Sequence, residues 1–246
     1  MKKLSVLAAL FVLASGLQAY SQVVVSDGTS QGNQAFGGNL DLIFVVNSPI
    51  TVTYLGVFDN GSSTIAAGTN IDVGLLYYGP LAGSPVNTVV TSAVFNSSGT
   101  YTDVGNDAFQ AITPVTLLPG RYNLDAVGFN ASDLNGNAGS CNVSPYCGYP
   151  GNTSTAATLN TLSGALTFVG SYNGGAYDTS SSLDYPDSGS AAPAYVYNAG
   201  TFAIGSLSST VPEGGASWLY LLPAGAACFG AMFFFRRNRF ANLAAA

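Results

Sequence analysis

Short runs of β-branched and aromatic residues, separated by turn residues, fill most of the chain between residues 22 and 205. In the run 121–129, Leu124 and Ala126 alternate with Asn123 and Asp125, which is the period of two expected for a β-strand. Such alternation predicts a sheet with one packed face and one face in contact with water. Eight runs are predicted strands on these grounds: 22–26, 40–46, 50–58, 71–78, 86–95, 121–129, 157–170 and 193–205.

The order of these runs predicts the fold class. Turn residues such as glycine, asparagine and proline separate the runs, and no stretch between them carries a sustained helical period. Strands that follow one another through turns favour an antiparallel sandwich or barrel over a parallel sheet, which needs helical crossovers. A chain of 246 residues fits one such domain. We therefore expect an all-β fold, an antiparallel β-sandwich that forms a single domain over residues 22–208.

The N-terminus has the three parts of a secretory signal peptide, which we expect at residues 1–21. Two lysines are followed by an apolar run at 4–13 and by the small residues Ala19 and Ser21, and cleavage is expected after one of these two. An uncleaved membrane anchor is the alternative, but the apolar run is shorter than the ~20 residues that a membrane span requires. A signal peptide implies the Sec translocon and signal peptidase as transient partners.

A charge-free apolar stretch lies near the C-terminus and ends in three arginines. The segment 216–235 is a predicted transmembrane helix, since its part at 218–235 would be ~27 Å long against a hydrocarbon core of ~30 Å. Arg236, Arg237 and Arg239 end the segment and stay in the cytoplasm by the positive-inside rule, so the body crosses the membrane. A buried C-terminal helix is the alternative, but three phenylalanines followed by this basic end offer no polar face to water.

The residues in front of this helix carry a resemblance to a known sorting signal. The motif residues are Val211, Pro212, Glu213 and Gly214, within a short segment at 211–215. Together with the apolar span and the basic end at 236–239, the stretch 211–240 resembles the PEP-CTERM sorting signal of exported bacterial proteins. That signal typically reads Val-Pro-Glu-Pro, and here Gly214 replaces the second proline. The resemblance implies recognition by an exosortase, a membrane-embedded cysteine transpeptidase-like enzyme, with removal of the tail.

The charge balance excludes several classes of function. Charged residues make up 7% of the chain, and Arg121 is the single cationic residue between Lys3 and Arg236. Residues 27–187 hold eleven aspartates with this one arginine, so they carry a net charge of −10 and repel a phosphate backbone, which excludes nucleic acid as a partner. The chain has no histidine, the usual general base and metal ligand. We expect no enzymatic activity, no catalytic residue, no cofactor and no bound metal.

Three cysteines occur in the chain, and two of them lie close together. Cys141 and Cys147 enclose five residues in a loop-like stretch, and in an exported protein such a pair is expected to form a disulfide. Closing so short a loop contributes on the order of 2 kcal/mol. A metal pair is the alternative, but no further cysteine or histidine is at hand to complete a tetrahedral site. Cys228 lies in the apolar span and is expected to be a packing residue.

Asp133, Asn135 and Asn137 alternate as the first ligands of a calcium loop do. However, Ala138 stands where the EF-hand loop needs glycine, and Ser144 stands where it needs a bidentate glutamate. The pattern therefore excludes an EF-hand and leaves two alternatives. One is a looser Ca²⁺ site, and the other, which we favour, is a turn built on asparagine and aspartate side chains.

Two further groups of residues are candidates for chemistry. Paired carboxylates can serve a glycosidase, and Asp103 with Asp107 or Asp184 with Asp187 are the pairs near each other in sequence, although aspartate is an ordinary turn former in such loops. Exposed tyrosines stack on sugar rings, although packing within the protein is the favoured interpretation. The tyrosines concerned are at 146, 149, 172, 177, 185, 195 and 197.

A second resemblance covers the body. The strand end at 55–59, the strand entry at 115–122 and the stretch 199–202 are similar to an uncharacterised β-sandwich domain of exported bacterial proteins, the DUF4082-like group, which has no established activity. The expected function is that of an exported, non-enzymatic protein of the cell surface or extracellular matrix, associated with biofilm or exopolysaccharide and anchored in the membrane only transiently. The alternative is a carbohydrate-binding module of the same matrix, with exopolysaccharide as its partner.

Overall fold

The computed structural model describes residues 22–26, 31–59, 64–80, 88–137, 157–173, 182–183 and 197–207. These residues form twelve β-strands and one short 3-10 turn, and no α-helix occurs among them. The strands are β1 (Gln22–Val23), β2 (Val25–Ser26), β3 (Leu40–Val46), β4 (Ile50–Phe58), β5 (Asn70–Gly79), β6 (Thr88–Asn96), β7 (Thr102–Val104), β8 (Asp107–Leu117), β9 (Gly120–Val127), β10 (Thr158–Leu159), β11 (Leu166–Asn173) and β12 (Gly200–Ile204).

The strands form two five-stranded sheets and one small sheet. The first sheet has the strand order β1-β12-β4-β8-β7, and the second sheet has the order β11-β3-β9-β5-β6. The strands β10 and β2 form the small sheet, and neighbouring strands are antiparallel throughout the three sheets. The prediction of an all-β fold with antiparallel sheets is confirmed.

The inner faces of the two large sheets meet in one hydrophobic core. The ring of Phe44 on β3 lies 5.5 Å from the ring of Phe202 on β12, measured between centroids, and it stacks on Tyr122 of β9 at 5.8 Å. A Cβ added to Gly200 would lie 3.3 Å from the Cβ of Ala126, so the backbones of β12 and β9 approach closely. Two antiparallel sheets that share one core are consistent with a β-sandwich.

Tyr122 also fixes the corner at which the chain passes from one sheet to the other. Leu118 and Pro119 connect β8 of the first sheet to β9 of the second sheet. The Tyr122 hydroxyl donates a hydrogen bond of 2.9 Å to the carbonyl oxygen of Leu118, a link that β-sandwich proteins also use at a corner. Burial raises the pKa of Tyr122, and nearby Tyr77 adds to the rise.

Most predicted strands are confirmed, but the runs 22–26 and 157–170 each divide into two strands, and β7 and β8 were not predicted. β3 and β4 span the predicted residues 40–46 and 50–58. The run 157–170 is not one strand, because positive φ angles at Leu162, Ser163 and Gly164 reverse the chain between β10 and β11. β8 was not among the predicted strands. Its Pro114 lies in a bulge where the pairing with β4 shifts, so the run shows no clean alternation.

The chain divides by its contacts into two units, Met1–Leu207 and Ser208–Ala246. The second unit lies wholly outside the described residues, as do the predicted signal peptide at 1–21 and the cysteine pair. Within the described ranges, no helix is long and apolar enough to span a membrane. The signal peptide, the disulfide and the transmembrane helix at 216–235 therefore stay predictions.

Candidate functional site

Four polar side chains meet on the outer face of the second sheet, which is the face turned away from the core. We call Asn39, Asp41, Asn123 and Asp125 the outer polar cluster. Asp41 on β3 and Asp125 on β9 are direct cross-strand partners, and Asn123 lies two residues before Asp125 on the same face. Asn39 directly precedes β3. The cluster therefore sits on two neighbouring strands in the interior of a five-stranded sheet.

The cluster is buried, contrary to the prediction from sequence. Asn123 and Asp125 were expected on a water-facing side of β9, but both are 0% exposed. The alternation itself is confirmed, since Leu124 and Ala126 belong to the core between the sheets. The prediction of a water-facing side was wrong because two residues distant in sequence, Ser182 and Leu183, pack on the outer face.

We call Ser182–Leu183 the covering segment, since these two residues contact Asn39 and Gly74 on this face. A Cβ built on Gly74 of β5 would lie 2.5 Å from Cδ1 of Leu183, so the leucine side chain packs directly on the glycine. Gly74 is the cross-strand partner of Asp125. The absence of a side chain at residue 74 thus gives room for a residue that shields the cluster.

Hydrogen bonds connect the amides of the cluster to its carboxylates. Asn39 Nδ2 donates to Asp125 Oδ2 at 2.7 Å and to the carbonyl oxygen of Ser182 at 3.0 Å. Asn123 Nδ2 donates to Asp41 Oδ1. Each carboxylate therefore has an amide donor, and one of these amides also holds the covering segment.

The one cationic residue of the body lies elsewhere. Arg121 is on the same strand as Asn123, and its guanidinium carbon lies 5.4 Å from the centre of the Tyr78 ring. This is a cation–π arrangement with a tyrosine of β5. Residues 22–207 thus supply one positive charge, and that charge is held beside an aromatic ring.

The predicted calcium-loop residues serve as structural links. Both carboxylate oxygens of Asp133 accept from the backbone N–H of Ala66, each at 3.1 Å. Asn135 Oδ1 accepts from the backbone N–H of Phe36 at 3.2 Å, and the backbone N–H of Asn137 donates to Asn33 at 2.7 Å. These contacts join distant loops to one another, and they favour the turn interpretation over a Ca²⁺ site at this stretch.

The candidate carboxylate pair at Asp103 and Asp107 is not brought together. These residues lie on β7 and at the start of β8, where Asp103 pairs with Ala108 and Asp107 pairs with Val104. Since neighbouring residues of a strand point to opposite faces, the two carboxylates point to opposite faces of the hairpin. Asp103 is exposed and Asp107 is buried. The second candidate pair, Asp184 with Asp187, lies outside the described residues.

The remaining predicted sites fall mainly outside the described ranges. Of the seven tyrosines proposed for sugar stacking, only Tyr197 has a described side chain, and it packs partly buried against the core. The other site predictions outside these ranges are the sorting motif Val211, Pro212, Glu213 and Gly214, the basic end Arg236, Arg237 and Arg239, and the cysteines Cys141 and Cys147.

Asn39 and Asp41 were not singled out from the sequence, although a signal for Asp41 exists. It is the one polar residue in the run LDLIFVV, whose other six residues are apolar. A lone charge in a strand that is apolar on both faces indicates a buried carboxylate with specific partners. In the described ranges, no group of three or more histidine, cysteine, aspartate or glutamate side chains is placed to hold a metal ion.

Comparison of the chain with protein-family models, with curated proteins and with solved structures finds no match. Both resemblances seen in the sequence therefore stay predictions, and the outer polar cluster is interpreted from its own chemistry.

Proposed function

We propose that this protein is an exported, non-enzymatic component of the cell surface or extracellular matrix, and that an exosortase-type enzyme processes its C-terminal tail. The observation that carries the proposal is the order of parts in the sequence. A signal-peptide pattern at 1–21 opens the chain, and a Pro-Glu motif, an apolar span and an arginine cluster close it within 211–240.

The tail has the physical features of a processing site. The apolar span holds the chain in the membrane, and Arg236 and its neighbours fix its depth and direction. Pro212, Gly214 and Gly215 disfavour a helix, so the helix is expected to begin at or after Ala216. The motif is then extended at the outer membrane boundary, where its backbone groups are available to an enzyme.

The use of acidic residues in the body supports a non-enzymatic role. Five of the seven described aspartates are buried, and Asp133 shows what such burial achieves by holding the backbone of Ala66. Carboxylates that brace strands and loops in this way contribute to stability and do not form an exposed reactive cleft. The absence of histidine from the chain acts in the same direction.

The intact mass of the mature protein from its native host tests this proposal. We expect a mass that lacks residues 1–19 or 1–21 at the N-terminus and the apolar span at 218–235 at the C-terminus. The variants Glu213→Ala and Pro212→Ala are expected to be exported and to accumulate as the uncut form in the inner membrane. Ser206→Ala, outside the motif, is the control and should be cut normally. A wild-type mature protein that still carries the apolar span would overturn the processing proposal.

A binding experiment on the same mature protein addresses the alternative role. Exopolysaccharide from the host, immobilised on beads, is incubated with the mature protein and washed. Retention that free polysaccharide competes away would assign the body as a carbohydrate-binding module of the matrix. A protein that passes through unretained supports the structural role.

A further inference from the structure

The strand β6 forms one edge of the second sheet. In the described part of the chain, β6 pairs with β5 on one side and with no strand on the other. An edge strand presents a row of N–H and C=O groups to which a further strand can bind, and proteins protect such edges by keeping them short or by placing charges on them. The edges of the first sheet are protected in this way, since β1 has two residues and β7 has three, with the exposed Asp103 among them.

β6 has neither of these protections. It is nine residues long, and its sequence TVVTSAVFN contains no charged residue and no proline. Its outward-pointing Val89 and Val94 are about half exposed. A bulge at Val90 interrupts the pairing with β5, but residues 91–96 pair in regular register. The uninterrupted part of the edge is therefore the stretch from 91 to 96.

Hydrogen bonds at the end of β6 show which of its backbone groups face outward. Residues of an antiparallel strand alternate between bonding the neighbour on one side and facing the other side. The backbone N–H of Asn96 donates to the Tyr101 hydroxyl at 2.7 Å, and this hydroxyl donates to the carbonyl oxygen of Asn96. Since Asn96 thus faces away from β5, Ser92 and Val94 also turn their N–H and C=O groups outward. In the described part of the chain, the outward groups of these two residues have no partner.

We propose that β6 is a self-association surface, at which a second copy of this chain adds its own β6 antiparallel to the first. A two-fold axis at Ala93 places Ser92 of each copy opposite Val94 of the other. These residues then exchange both of their N–H···O=C bonds, so that every outward group of the stretch finds a partner. The edge is thus complementary to itself, as a two-fold interface requires.

The side chains also match in this register. Directly opposed residues point to the same face of a sheet. Ser92 and Val94 both lie on the outer face, and Thr91 and Phe95, which the same axis places opposite each other, both lie on the core side. The second sheets of the two copies therefore continue into each other without exchanging their faces.

The charge of the body does not oppose this contact at close range. The Asp72 carboxyl is on β5, beside Val94, and β6 itself has no charge. In the paired copies, the two Asp72 residues are separated by three strand spacings, at least ~14 Å, which exceeds the screening length of ~8 Å at physiological salt. The inference concerns the β domain alone and does not depend on how the tail is processed.

Sedimentation of the full-length chain in detergent, from about 1 µM to about 0.5 mM, tests the proposal. The wild-type protein mass is expected to rise toward that of two chains. Val94→Pro removes an N–H that faces away from β5, a position at which an edge strand tolerates proline, so this variant should keep the wild-type circular dichroism and remain a monomer. Val94→Thr keeps the N–H and is the matched control, which should associate as the wild type does. A wild type that stays monomeric over the whole range, or a Val94→Pro variant that associates like the wild type, would overturn the proposal.

A cysteine at residue 93 tests the register and leaves the backbone groups in place. Ala93 lies opposite its own counterpart at the two-fold axis, in a pair without hydrogen bonds whose Cα atoms are about 4.5 Å apart, within reach of a disulfide. Oxidation of Ala93→Cys in air with copper–phenanthroline is expected to link two chains, and mass spectrometry should find the peptide with residue 93 joined to itself. Val89→Cys is more exposed but lies beyond the bulge, so it is the control and should link far less. No linkage at residue 93, or equal linkage at residue 89, would contradict the proposed pairing.

Discussion

On the outer face of the second sheet, the usual relation between polarity and exposure is reversed. Polar residues at the centre of this face are buried, and apolar residues at its edge are exposed. At the centre, Asn123 and Asp125 of β9 are 0% exposed, although they are polar. At the edge, Val89 and Val94 of β6 are 48% and 49% exposed, although they are apolar. The four side chains share one face of one sheet, as the pairing through β5 shows. Residue type alone therefore does not determine burial here, and position within the sheet does.

The inversion has a physical cause in what packs on the face. Leu183 lies on Gly74 beside the central residues, and Ser182 accepts a hydrogen bond from Asn39. Because the covering segment shields the centre of the sheet from water, the polar side chains at the centre need hydrogen-bond partners within the protein. The amides and carboxylates of the cluster serve as partners for one another. In the sheet order, β6 is the last strand on its side, so its outward valines have no strand beyond them in the described part of the chain.

The largest expected effect comes from removing an amide at the centre. Asn123→Leu takes the Nδ2 donor away from Asp41, and it also removes Asn123 Oδ1, which is buried without a donor, so we expect a net loss of about 1–2 kcal/mol in the free energy of unfolding. Val94→Thr at the edge is the matched control on the same face, with an expected change within about 0.5 kcal/mol. Urea unfolding of both variants measures the difference. If both variants lost the same free energy of unfolding, the difference in exposure between the centre and the edge would have no counterpart in stability.

A smaller effect is expected from a methyl group added under the covering segment. Gly74→Ala would place its Cβ 2.5 Å from Leu183 Cδ1, and because this atom is the end of a flexible side chain that can shift, the overlap should cost at most about 1 kcal/mol of stability. Leu183→Ala in the same chain removes the obstructing side chain, so the double variant should lose less than the two single variants added together. Additive losses, measured by the same urea unfolding, would mean that Leu183 does not rest on Gly74.

The strands of the two sheets were largely predictable because their cause is local. β3 and β4 were predicted with their bounds, since Ser48 and Pro49 break the apolar pattern between them. β8 was missed because its alternation is interrupted at Pro114, where the strand bulges against β4. A bulge depends on the partner strand, and the sequence of one strand does not reveal it.

The outer polar cluster was not predictable from the pattern for a different reason. Alternation on β9 shows that the two faces differ, but it does not show what covers each face. The cover at Ser182 is separated from Asn39 by 143 positions in the chain, so no local pattern connects them. The aspartate at 41, alone among apolar neighbours, was the available sign, and it indicated a buried charge without identifying the residues it meets.

The smallest expected effect lies between the two regions, at Asp72 on β5. Its cross-strand partners are Val94 of the exposed edge on one side and Val127 of β9 on the other. Burial raises the pKa of this carboxyl above the ordinary aspartate value of 3.8, so the folded chain holds the proton more tightly than the unfolded chain does. This shift therefore adds to the free energy of unfolding when Asp72 is protonated. The contribution is fully present below pH 3.8 and is lost as the pH rises through the pKa of Asp72 in the folded chain.

Asp72→Asn removes this titration and keeps the shape of the side chain. The variant is therefore expected to be more stable than the wild type at neutral pH, by less than about 1 kcal/mol because Asp72 is only partly buried and solvent screens its charge. The advantage should shrink as the pH falls through the folded pKa, since the wild-type carboxyl is then neutral as well. Urea unfolding at a series of pH values between 3 and 7 measures both chains. Two outcomes would contradict this prediction: a difference between the variants that does not change with pH, or a wild type that is more stable than the variant at pH 7. Either would show that the Asp72 carboxyl behaves as a solvent-exposed group of the sheet edge.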